Sequence, residues 1–331
     1  MTSVRWGFLG AGSVASSALA PAMQAADGAV LIAAAAREQR RAAALAGLTG
    51  RAYGAYGQML AEPDVDAVYI SLANDAHFRW CCEALRAGKA VLCEKPLALT
   101  AEQVDELTAE AAQAGRPLVE ASTYRWHPRV RLAQRLLWDG VVGTVEHVAA
   151  GFSFPGPPRG NFRWHKENGG GALYDVGCYA VSAALWACGG AAVREVVARQ
   201  QTADTGVDVL TELLLEFDGG AEAEIRVSMA EPARQWLIIT GNKGEIELRD
   251  EPFTSRNEPT ELWVSDGRGT ERMPVPAADP FRLMVEDVSR AIRGGDGYLL
   301  PLAESRTTAA VIDAAFASAA AGQPISPSAP A

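Results

Sequence analysis

The sequence predicts two domains: an α/β Rossmann domain with a doubly wound parallel sheet, followed by an α+β domain with a large, mostly antiparallel open sheet. Three observations predict this arrangement. Short apolar runs alternate with helix-forming stretches over the first 120 residues, a glycine-rich turn follows the first run, and apolar and polar residues alternate from about residue 145. We place the Rossmann domain at residues 1–121 and the second domain at residues 122–331.

The apolar runs of the first domain have the length of strands. They lie at residues 4–10, 30–36, 67–73, 89–94 and 116–121, and the stretches between them end near glycine, as helices often do. Runs that are apolar on both faces are typical of a parallel sheet covered by helices on each side. Such sheets bind ligands at the carboxyl ends of their strands, so we expect the functional site there.

The turn GAGSVA at residues 10–15 follows the first run and opens a helical stretch. A dinucleotide site needs a tight turn at the first glycine, close approach of the backbone to the pyrophosphate at the second, and a small third residue where helix meets strand. Gly10, Gly12 and Ala15 fit these three positions. An incidental glycine turn is the alternative, and the surrounding alternation of strands and helices favours the dinucleotide site.

The segment after the second run favours NADP(H) over NAD(H). An NAD site usually offers an acidic residue here to the ribose 2′-hydroxyl, whereas this chain reads AAAAREQRR at residues 33–41. Ala36 leaves room for a 2′-phosphate, and Arg37 can hold it through paired hydrogen bonds. Two alternatives stay open: Arg40 and Arg41 form the solvated face of a helix, or Glu38 acts as the acid and the cofactor is NAD(H).

Composition limits the class of function. The 331 residues carry a formal charge of −10 without a long basic cluster, so we expect neither nucleic acid nor a membrane as partner. The five cysteines contain no CxxC pair, and no spacing of His, Asp and Glu suggests a metal site. The chain has neither a signal-peptide pattern nor an apolar run of about 18 residues. We therefore expect a cytoplasmic protein that acts on a small molecule.

The second domain has the alternation of antiparallel strands. Strand segments lie at 144–154, 193–201, 208–217, 221–230, 234–240, 245–250 and 260–266. GNKG at 241–244 and DGRG at 266–269 predict hairpin turns. Few helical stretches are available to cover this sheet, so we expect a homodimer or homotetramer that forms through its open face. Residues 323–331 predict a loose tail.

Three further motifs follow the glycine turn in order: LANDAH at 72–77, CEKP at 93–96 and GGGALYDVGCY at 169–179. Together with that turn they resemble the Gfo/Idh/MocA oxidoreductase family. Its marks are GxGxxG/A, N-x-x-H after the third strand, EKP after the fourth, and GG-x-x-x-D-x-G-x-H/Y in the second domain. YRWHP at 124–128 and the tyrosine at 179 are similar to the branch of sugar ketoreductases, xylose dehydrogenases and dihydrodiol dehydrogenases.

The resemblance implies that Lys95, Asp175 and Tyr179 are catalytic. Hydride transfer at a sugar carbon requires a proton to move at the attached oxygen, and a partly desolvated lysine suits this task. The resemblance implies a cis Lys95–Pro96 bond, and it casts Asp175 as a partner of Lys95 and of a sugar hydroxyl. Tyr179 would be a second proton donor or acceptor beside the same oxygen. The alternatives are a solvated strand-end lysine, an aspartate placed by the helix dipole and a core tyrosine. The sequence does not decide which of Lys95 and Tyr179 delivers the proton.

The predicted sites extend beyond these three residues. The cofactor site consists of Gly10, Gly12, Ser13, Val14, Ala36, Arg37, Leu72, Asn74, His77, Glu94, Lys95 and Pro96. The substrate site consists of Tyr124, Arg125, Trp126, Trp164, Asp175 and Tyr179. Packing in the core is the alternative for the aromatic members. Arg159 and Arg163 are expected to be exposed, with contact to a nucleotide-sugar phosphate as the alternative.

These predictions together indicate an NADP(H)-dependent oxidoreductase that transfers a hydride to or from a secondary alcohol or ketone carbon of a sugar, including a nucleotide-linked keto-sugar. One alternative is an NAD(H)-dependent dehydrogenase of an aminosugar, polyol or dihydrodiol. Another is a non-catalytic nucleotide-sensing protein. The presence of proton-transfer groups argues against the sensor, because a sensor does not need them.

Overall fold

A computed structural model describes residues 3–47 and 50–329. Contacts between residues divide the chain into two units, Met1–Thr123 with Phe281–Ser305, and Tyr124–Pro280 with Arg306–Ala331. Residues 281–305, predicted to belong to the second domain, group with the first unit. The domain boundary at 121/122 stays a prediction.

The first unit contains a six-stranded parallel sheet. Its strands are β1 (Val4–Leu9), β2 (Ala29–Ala35), β3 (Arg51–Tyr53), β4 (Ala67–Ile70), β5 (Ala90–Cys93) and β6 (Leu118–Glu120). They lie in the order β3-β2-β1-β4-β5-β6, so the strand order reverses between β1 and β4. Ligands bind at such a reversal in doubly wound sheets. The predicted Rossmann architecture is confirmed.

The α-helices are divided between the two units. In chain order the helices are α1 (Ala20–Ala25), α2 (Gln39–Ala46), α3 (Tyr56–Leu60), α4 (Asn74–Arg86), α5 (Ala101–Ala114), α6 (Pro128–Trp138), α7 (Cys178–Ala187), α8 (Pro280–Ile292) and α9 (Leu302–Ala321). Residues in β4 and β5 are buried throughout, as predicted for strands covered on both faces. In α5, Thr100 caps the amino end and left-handed Gly115 ends the helix.

The second unit contains an eight-stranded sheet. Its strands are β7 (Val145–Pro155), β8 (Val193–Thr202), β9 (Asp208–Phe217), β10 (Glu222–Ser228), β11 (Ala230–Gly241), β12 (Gly244–Leu248), β13 (Thr260–Asp266) and β14 (Gly269–Val275). The order is β14-β13-β12-β11-β7-β10-β9-β8, and every neighbouring pair is antiparallel except β7 with β10. Both predicted hairpin turns join paired strands. The predicted mostly antiparallel sheet is confirmed.

Helix α7 packs against β7, β10 and β11 on one face of this sheet. Its sequence is apolar nearly all round, which suits a helix whose residues are almost all buried. The other face carries ion pairs, among them Arg226 with both Glu212 and Glu231. This open face is therefore charged as well as apolar, and its predicted use as an oligomer surface stays a prediction.

The carboxyl-terminal segment is bound rather than loose over its described part. Ile325 forms a β-bridge with Val196, and the buried Arg306 donates hydrogen bonds to the carbonyls of Ser328 and Ala329. The prediction of a loose tail is wrong for these residues, because a guanidinium can satisfy carbonyls that no strand partner reaches. Residues 330–331 lie outside the described part of the chain.

Candidate active site

The predicted dinucleotide turn leaves β1 at the carboxyl edge of the parallel sheet. Gly10 has φ 99°, and a Cβ there would lie 2.1 Å from the carbonyl oxygen of Ser71, so glycine is required by the fold itself. A Cβ on Gly12 would lie 3.5 Å from the Ser71 hydroxyl, which is an ordinary contact. The fold does not require glycine at 12, and a ligand approaching the backbone would explain it. Ser13 is exposed and Val14 is half-buried.

Two arginines lie near this turn. The Arg41 guanidinium donates a 2.5 Å hydrogen bond to the carbonyl of Ala11, inside the glycine turn. Burial raises the pKa of the Tyr56 hydroxyl, and the positive charges of Arg37 and Arg41 oppose that shift, which places both charges around this phenol. Arg41 is exposed on α2, which agrees with the alternative of a solvated helix face, and it also contacts the glycine turn. Arg37 precedes α2 and Arg41 lies in its first turn, so helical spacing does not link the two arginines.

The neighbouring residues differ in their partners. Arg40 pairs with Glu38 at 2.6 Å, and both side chains are mostly exposed. Glu38 is thus held by a cation, which weakens its case as the ribose acid. The Tyr56 ring meets the Trp80 ring edge-on, with centroids 4.9 Å apart. No motif identified these two aromatic residues, since one lies at the start of α3 and the other within α4.

Lys95 lies in a loop whose neighbours are fixed by the sheet. The Lys95–Pro96 bond is cis, as the resemblance implied. The hydroxyl of Tyr69, a fully buried residue of β4, donates a 2.5 Å hydrogen bond to Glu94. His77, fully buried in α4, has Nδ1 2.8 Å from the carbonyl oxygen of Pro96. The residues on both sides of Lys95 therefore have defined positions, while Lys95 itself is half-buried.

Burial also affects the charges of these neighbours. Burial raises the pKa of the Glu94 carboxyl, and the positive charge of Lys95 opposes that shift. Burial lowers the pKa of His77, so its ring is neutral at physiological pH. The carbonyl contact of His77 gives this histidine a positioning role for the Lys95 loop. Its predicted contact with the cofactor, and those of the buried Asn74 and the half-buried Leu72, stay predictions.

In the second unit, close backbone packing fixes the segment that carries Asp175 and Tyr179. A Cβ on Gly170 would lie 2.5 Å from the carbonyl oxygen of Arg163, and one on Gly171 would lie 2.0 Å from Oδ1 of Asp208. Asp208, in β9, accepts a 2.8 Å hydrogen bond from the amide of Leu173. The π-helical turn Leu173–Gly177 then leads into α7. The glycines are therefore required by contacts within this unit.

Asp175 is buried and forms an ion pair. The Arg163 Nε donates to its Oδ2 at 2.6 Å, and the Asp175 side chain is only 8% exposed. Asn161 accepts a hydrogen bond from the amide of Arg163 at 3.1 Å. The expectation that Arg163 is exposed is wrong. Arg159, in the same stretch, is exposed as expected, and it pairs with the exposed Asp204. No spacing rule distinguishes the two arginines, because the loop that carries them is irregular.

Tyr179 is half-buried at the start of α7 and is surrounded by rings. The centroids of Tyr124, Phe152 and Phe253 lie 5.8, 5.9 and 6.0 Å from its own. Tyr124 is nearly inaccessible, and its hydroxyl bonds with Ser182 at 2.8 Å. Tyr124 therefore packs against Tyr179 in the core, and its predicted contact with the substrate stays a prediction.

The chain matches two family models. Residues 4–122 match the model described as an oxidoreductase family with an NAD-binding Rossmann fold, and residues 130–247 match the GFO/IDH/MocA C-terminal domain. The chain belongs to the Gfo/Idh/MocA family. The resemblance read from the motifs is confirmed, and the relatives of this family member are named as oxidoreductases and dehydrogenases.

Several characterised relatives cover nearly the whole chain. The D-xylose 1-dehydrogenase (NADP(+)) 2 of Haloferax volcanii is 34% identical over 96% of this chain and 98% of that protein. The dTDP-3,4-didehydro-2,6-dideoxy-alpha-D-glucose 3-reductase of Streptomyces antibioticus is 32% identical over 89% and 90%. The crystal structure of KijD10, a 3-ketoreductase from Actinomadura kijaniata, in complex with NADP and TDP-benzene has a TM-score of 0.89. It is 29% identical and covers 96% of this chain and 98% of that one.

The remaining predicted substrate residues of this Gfo/Idh/MocA protein are buried. Arg125 is 4% exposed, Trp126 is fully buried, and Trp164 is 9% exposed. The Trp164 indole donates to the carbonyl of Pro157 at 2.7 Å. This burial favours packing roles for Arg125, Trp126 and Trp164, and the contacts of these residues with a substrate stay predictions. Among the described residues, no group of three or more His, Cys, Asp or Glu side chains could hold a metal ion. In that same part of the chain, no helix is long and apolar enough to cross a membrane.

Proposed function

We propose that this protein is an NADP(H)-dependent oxidoreductase that transfers a hydride to or from a secondary alcohol or ketone carbon of a sugar. The observation that carries the proposal is the Lys95 loop. Its lysine lies at the carboxyl edge of the parallel sheet, and buried Tyr69 and His77 hold the residues beside it. An acid–base group must be held in a defined position, so buried residues that fix the neighbours of Lys95 are expected for such a group. A lysine that only extends into solvent at a strand end does not need them.

The residues near the glycine turn fit a phosphorylated dinucleotide. When bound, NADP(H) supplies or accepts the hydride. Gly10 and Gly12 would hold the pyrophosphate, and Arg37 and Arg41 would hold the 2′-phosphate. Ala36 is buried and small, which leaves the space beside Arg37 open. The names of the xylose dehydrogenase and of the KijD10 complex, both of which include NADP, also support this cofactor.

The proton-transfer roles follow from the two groups of side chains. Lys95 or Tyr179 would exchange the proton at the reacting oxygen, and Asp175 would accept hydrogen bonds from a sugar hydroxyl. Arg163 pairs with the buried Asp175 carboxyl, and a nearby cation favours the charged form of such a group. A charged carboxylate can only accept hydrogen bonds, which matches a hydroxyl donor of the substrate.

The proposal is tested by nicotinamide absorbance. We would offer NADP(H) and NAD(H) in parallel to a panel of aldoses, keto-sugars, a dTDP-linked keto-sugar and a trans-dihydrodiol. We expect turnover of a sugar with NADP(H). Turnover of the dihydrodiol alone would show that the substrate is a dihydrodiol and not a sugar. Binding of NADP(H) without turnover of any compound in the panel would favour the nucleotide sensor.

We also propose that the protein forms a homodimer or homotetramer through the open face of the eight-stranded sheet. Trp236 and Ile238 of the central strand β11 are only partly buried on this face. Size-exclusion chromatography with light scattering should give a molar mass two or four times the 35.0 kDa of one chain. A charge reversal of Arg226 should shift that mass toward the monomer, and a monomeric wild type would contradict the proposal.

A further inference from the structure

A single buried arginine binds the loop at residues 249–259, which joins β12 to β13. Arg129, in the first turn of α6, is 1% exposed. Its guanidinium donates hydrogen bonds mainly to main-chain carbonyls of the loop. The acceptors are the carbonyl oxygens of Arg249 (2.5 Å), Asp250 (3.1 Å), Glu251 (3.0 Å) and Glu261 (3.4 Å), and the hydroxyl of Ser255 (2.5 Å).

The loop needs this support because its own backbone is unfavourable. Asp250 and Glu251 have φ values of 52° and 53°, in the left-handed region that residues other than glycine seldom adopt. One side of the loop borders a cavity of about 910 Å³, so packing does not hold that side. Burial lowers the pKa of Arg129 to about 10, so it is still a cation at neutral pH. A buried cation that lost these acceptors would be strongly unfavourable, and the bonds therefore fix the loop.

The fixed loop carries one aromatic side chain inward. The amide of Phe253 donates to Oε1 of Gln235 at 3.1 Å, and the ring is 3% exposed. The ring is stacked on Tyr179 at a centroid distance of 6.0 Å and on Phe152 at 6.1 Å, with interplanar angles of 26° and 12°. The polar contact of the backbone and the ring contacts together leave Phe253 little freedom.

We propose that Phe253 is a positioning residue for Tyr179, and that Arg129 acts on Tyr179 through Phe253. This inference rests on the proposed role of Tyr179 in proton transfer. The Tyr179 hydroxyl lies at the far end of a side chain that rotates about two bonds, so a ring that loses its stacking partner displaces the reacting oxygen. A displacement of about 1 Å can cost about 100-fold in rate.

The test is a double-mutant cycle on kcat, with the cofactor dissociation constant measured in parallel. Phe253→Leu keeps an apolar side chain and removes the ring. We expect it to lower kcat by about tenfold or more in the wild type, and by less than about twofold in a Tyr179→Phe background, where the proton-transfer group is already absent. Cofactor affinity should not change, and Phe253→Tyr, which keeps a ring, should retain kcat.

Arg129→Lys tests the second step, because an ammonium cannot reach the same set of acceptors as a planar guanidinium. It should lower kcat in the wild type and have little effect in the Phe253→Leu background. Phe217→Leu is the control, because it makes the same substitution at another buried phenylalanine of this unit, the last residue of β9. It should lose stability without losing kcat. If Phe253→Leu does not fold, Phe253→Met takes its place.

Each contrary result has a defined meaning. Equal losses of kcat from Phe253→Leu in both backgrounds would overturn the inference and leave the proposed function intact. So would an unchanged kcat in Phe253→Leu alone. A Tyr179→Phe enzyme with full kcat would overturn the proton-transfer role of Tyr179, and the inference with it.

Discussion

The loop that carries Lys95 and the segment that carries Asp175 differ in where their support comes from. Glu94 and Pro96 are held by Tyr69 and His77, which belong to the neighbouring strand and helix of the same sheet edge. Asp175 is held by Arg163 from an irregular loop, and its helix is capped by Asp208, 33 residues later in sequence. Tyr69 and His77 bind the neighbours of Lys95 in sequence, whereas Arg163 binds the functional side chain of Asp175 itself. Substitutions at the two places should therefore fail in different ways.

Lys95→Met is the substitution with the largest expected effect. Removing an acid–base group should lower kcat by about 100- to 10,000-fold, while cofactor affinity is retained because the loop is held by its neighbours. Steady-state rates and cofactor titration measure both quantities. Lys243→Met, at an exposed hairpin lysine, is the control and should keep full activity. Full activity of the Lys95 variant would exclude the assigned role.

Arg163→Gln should have the second-largest effect. It should lower kcat/KM by about 10- to 100-fold, because it removes the guanidinium that pairs with the buried Asp175 carboxylate. Arg163→Lys should recover part of that loss, since it restores the charge without the guanidinium geometry. Arg159→Gln is a matched control from the same loop. Its pair with Asp204 is exposed, so it should change little. Equal losses for both arginines would show that the ion pair with Asp175 is unimportant.

Gly12→Ala should separate the stability of the fold from the affinity for the cofactor. The added methyl makes only an ordinary contact, so the free energy of unfolding should change by less than about 1 kcal/mol. Cofactor affinity should fall by about tenfold or more, because the backbone no longer meets the pyrophosphate closely. Gly10→Ala should instead unfold the protein, since its methyl would collide with the Ser71 carbonyl. A Gly12 variant that binds cofactor normally would refute the dinucleotide turn.

Arg37→Ala has the smallest expected effect. It should weaken NADP binding by about tenfold and leave NAD binding nearly unchanged, because only the 2′-phosphate meets this guanidinium. Titration with each cofactor measures the ratio. Arg40→Ala is the control, as Arg40 pairs with Glu38 at the surface. If both cofactors lose affinity equally, the phosphate contact is rejected.

Much of the first unit could be predicted because a parallel sheet repeats its signals. Apolar runs and glycine-rich helix ends located five strands, and the glycine turn and CEKP lie at strand ends as expected. The strand β3 was not predicted, because three residues are too few for a pattern. In the second unit the alternation predicted both hairpin turns and seven strands, but it did not predict β14. Residues 281–305 group with the first unit because helix packing, which composition does not reveal, decides their place.

The supports of the candidate site could not be predicted. Arg163, Asp208 and Arg129 act through polar contacts with residues 12, 35 and about 120 positions away, and no periodicity marks such pairs. Arg129 follows the YRWHP motif directly, yet its partners are carbonyls more than a hundred residues later. The contacts of the carboxyl-terminal segment could not be predicted for a similar reason. Arg306 donates hydrogen bonds to main-chain carbonyls there, and the sequence does not mark which carbonyls a side chain will bind.

The measurement that tests the central claim most directly is the transfer of deuterium from NADPH deuterated at both C4 positions to a keto-sugar, followed by mass spectrometry and NMR of the product. We predict one deuterium on the carbon that becomes the secondary alcohol, and labelling that is about 100- to 10,000-fold slower when Lys95→Met replaces the wild type. Products without deuterium, or a wild type that binds NADPH but labels no sugar of the panel, would contradict the account.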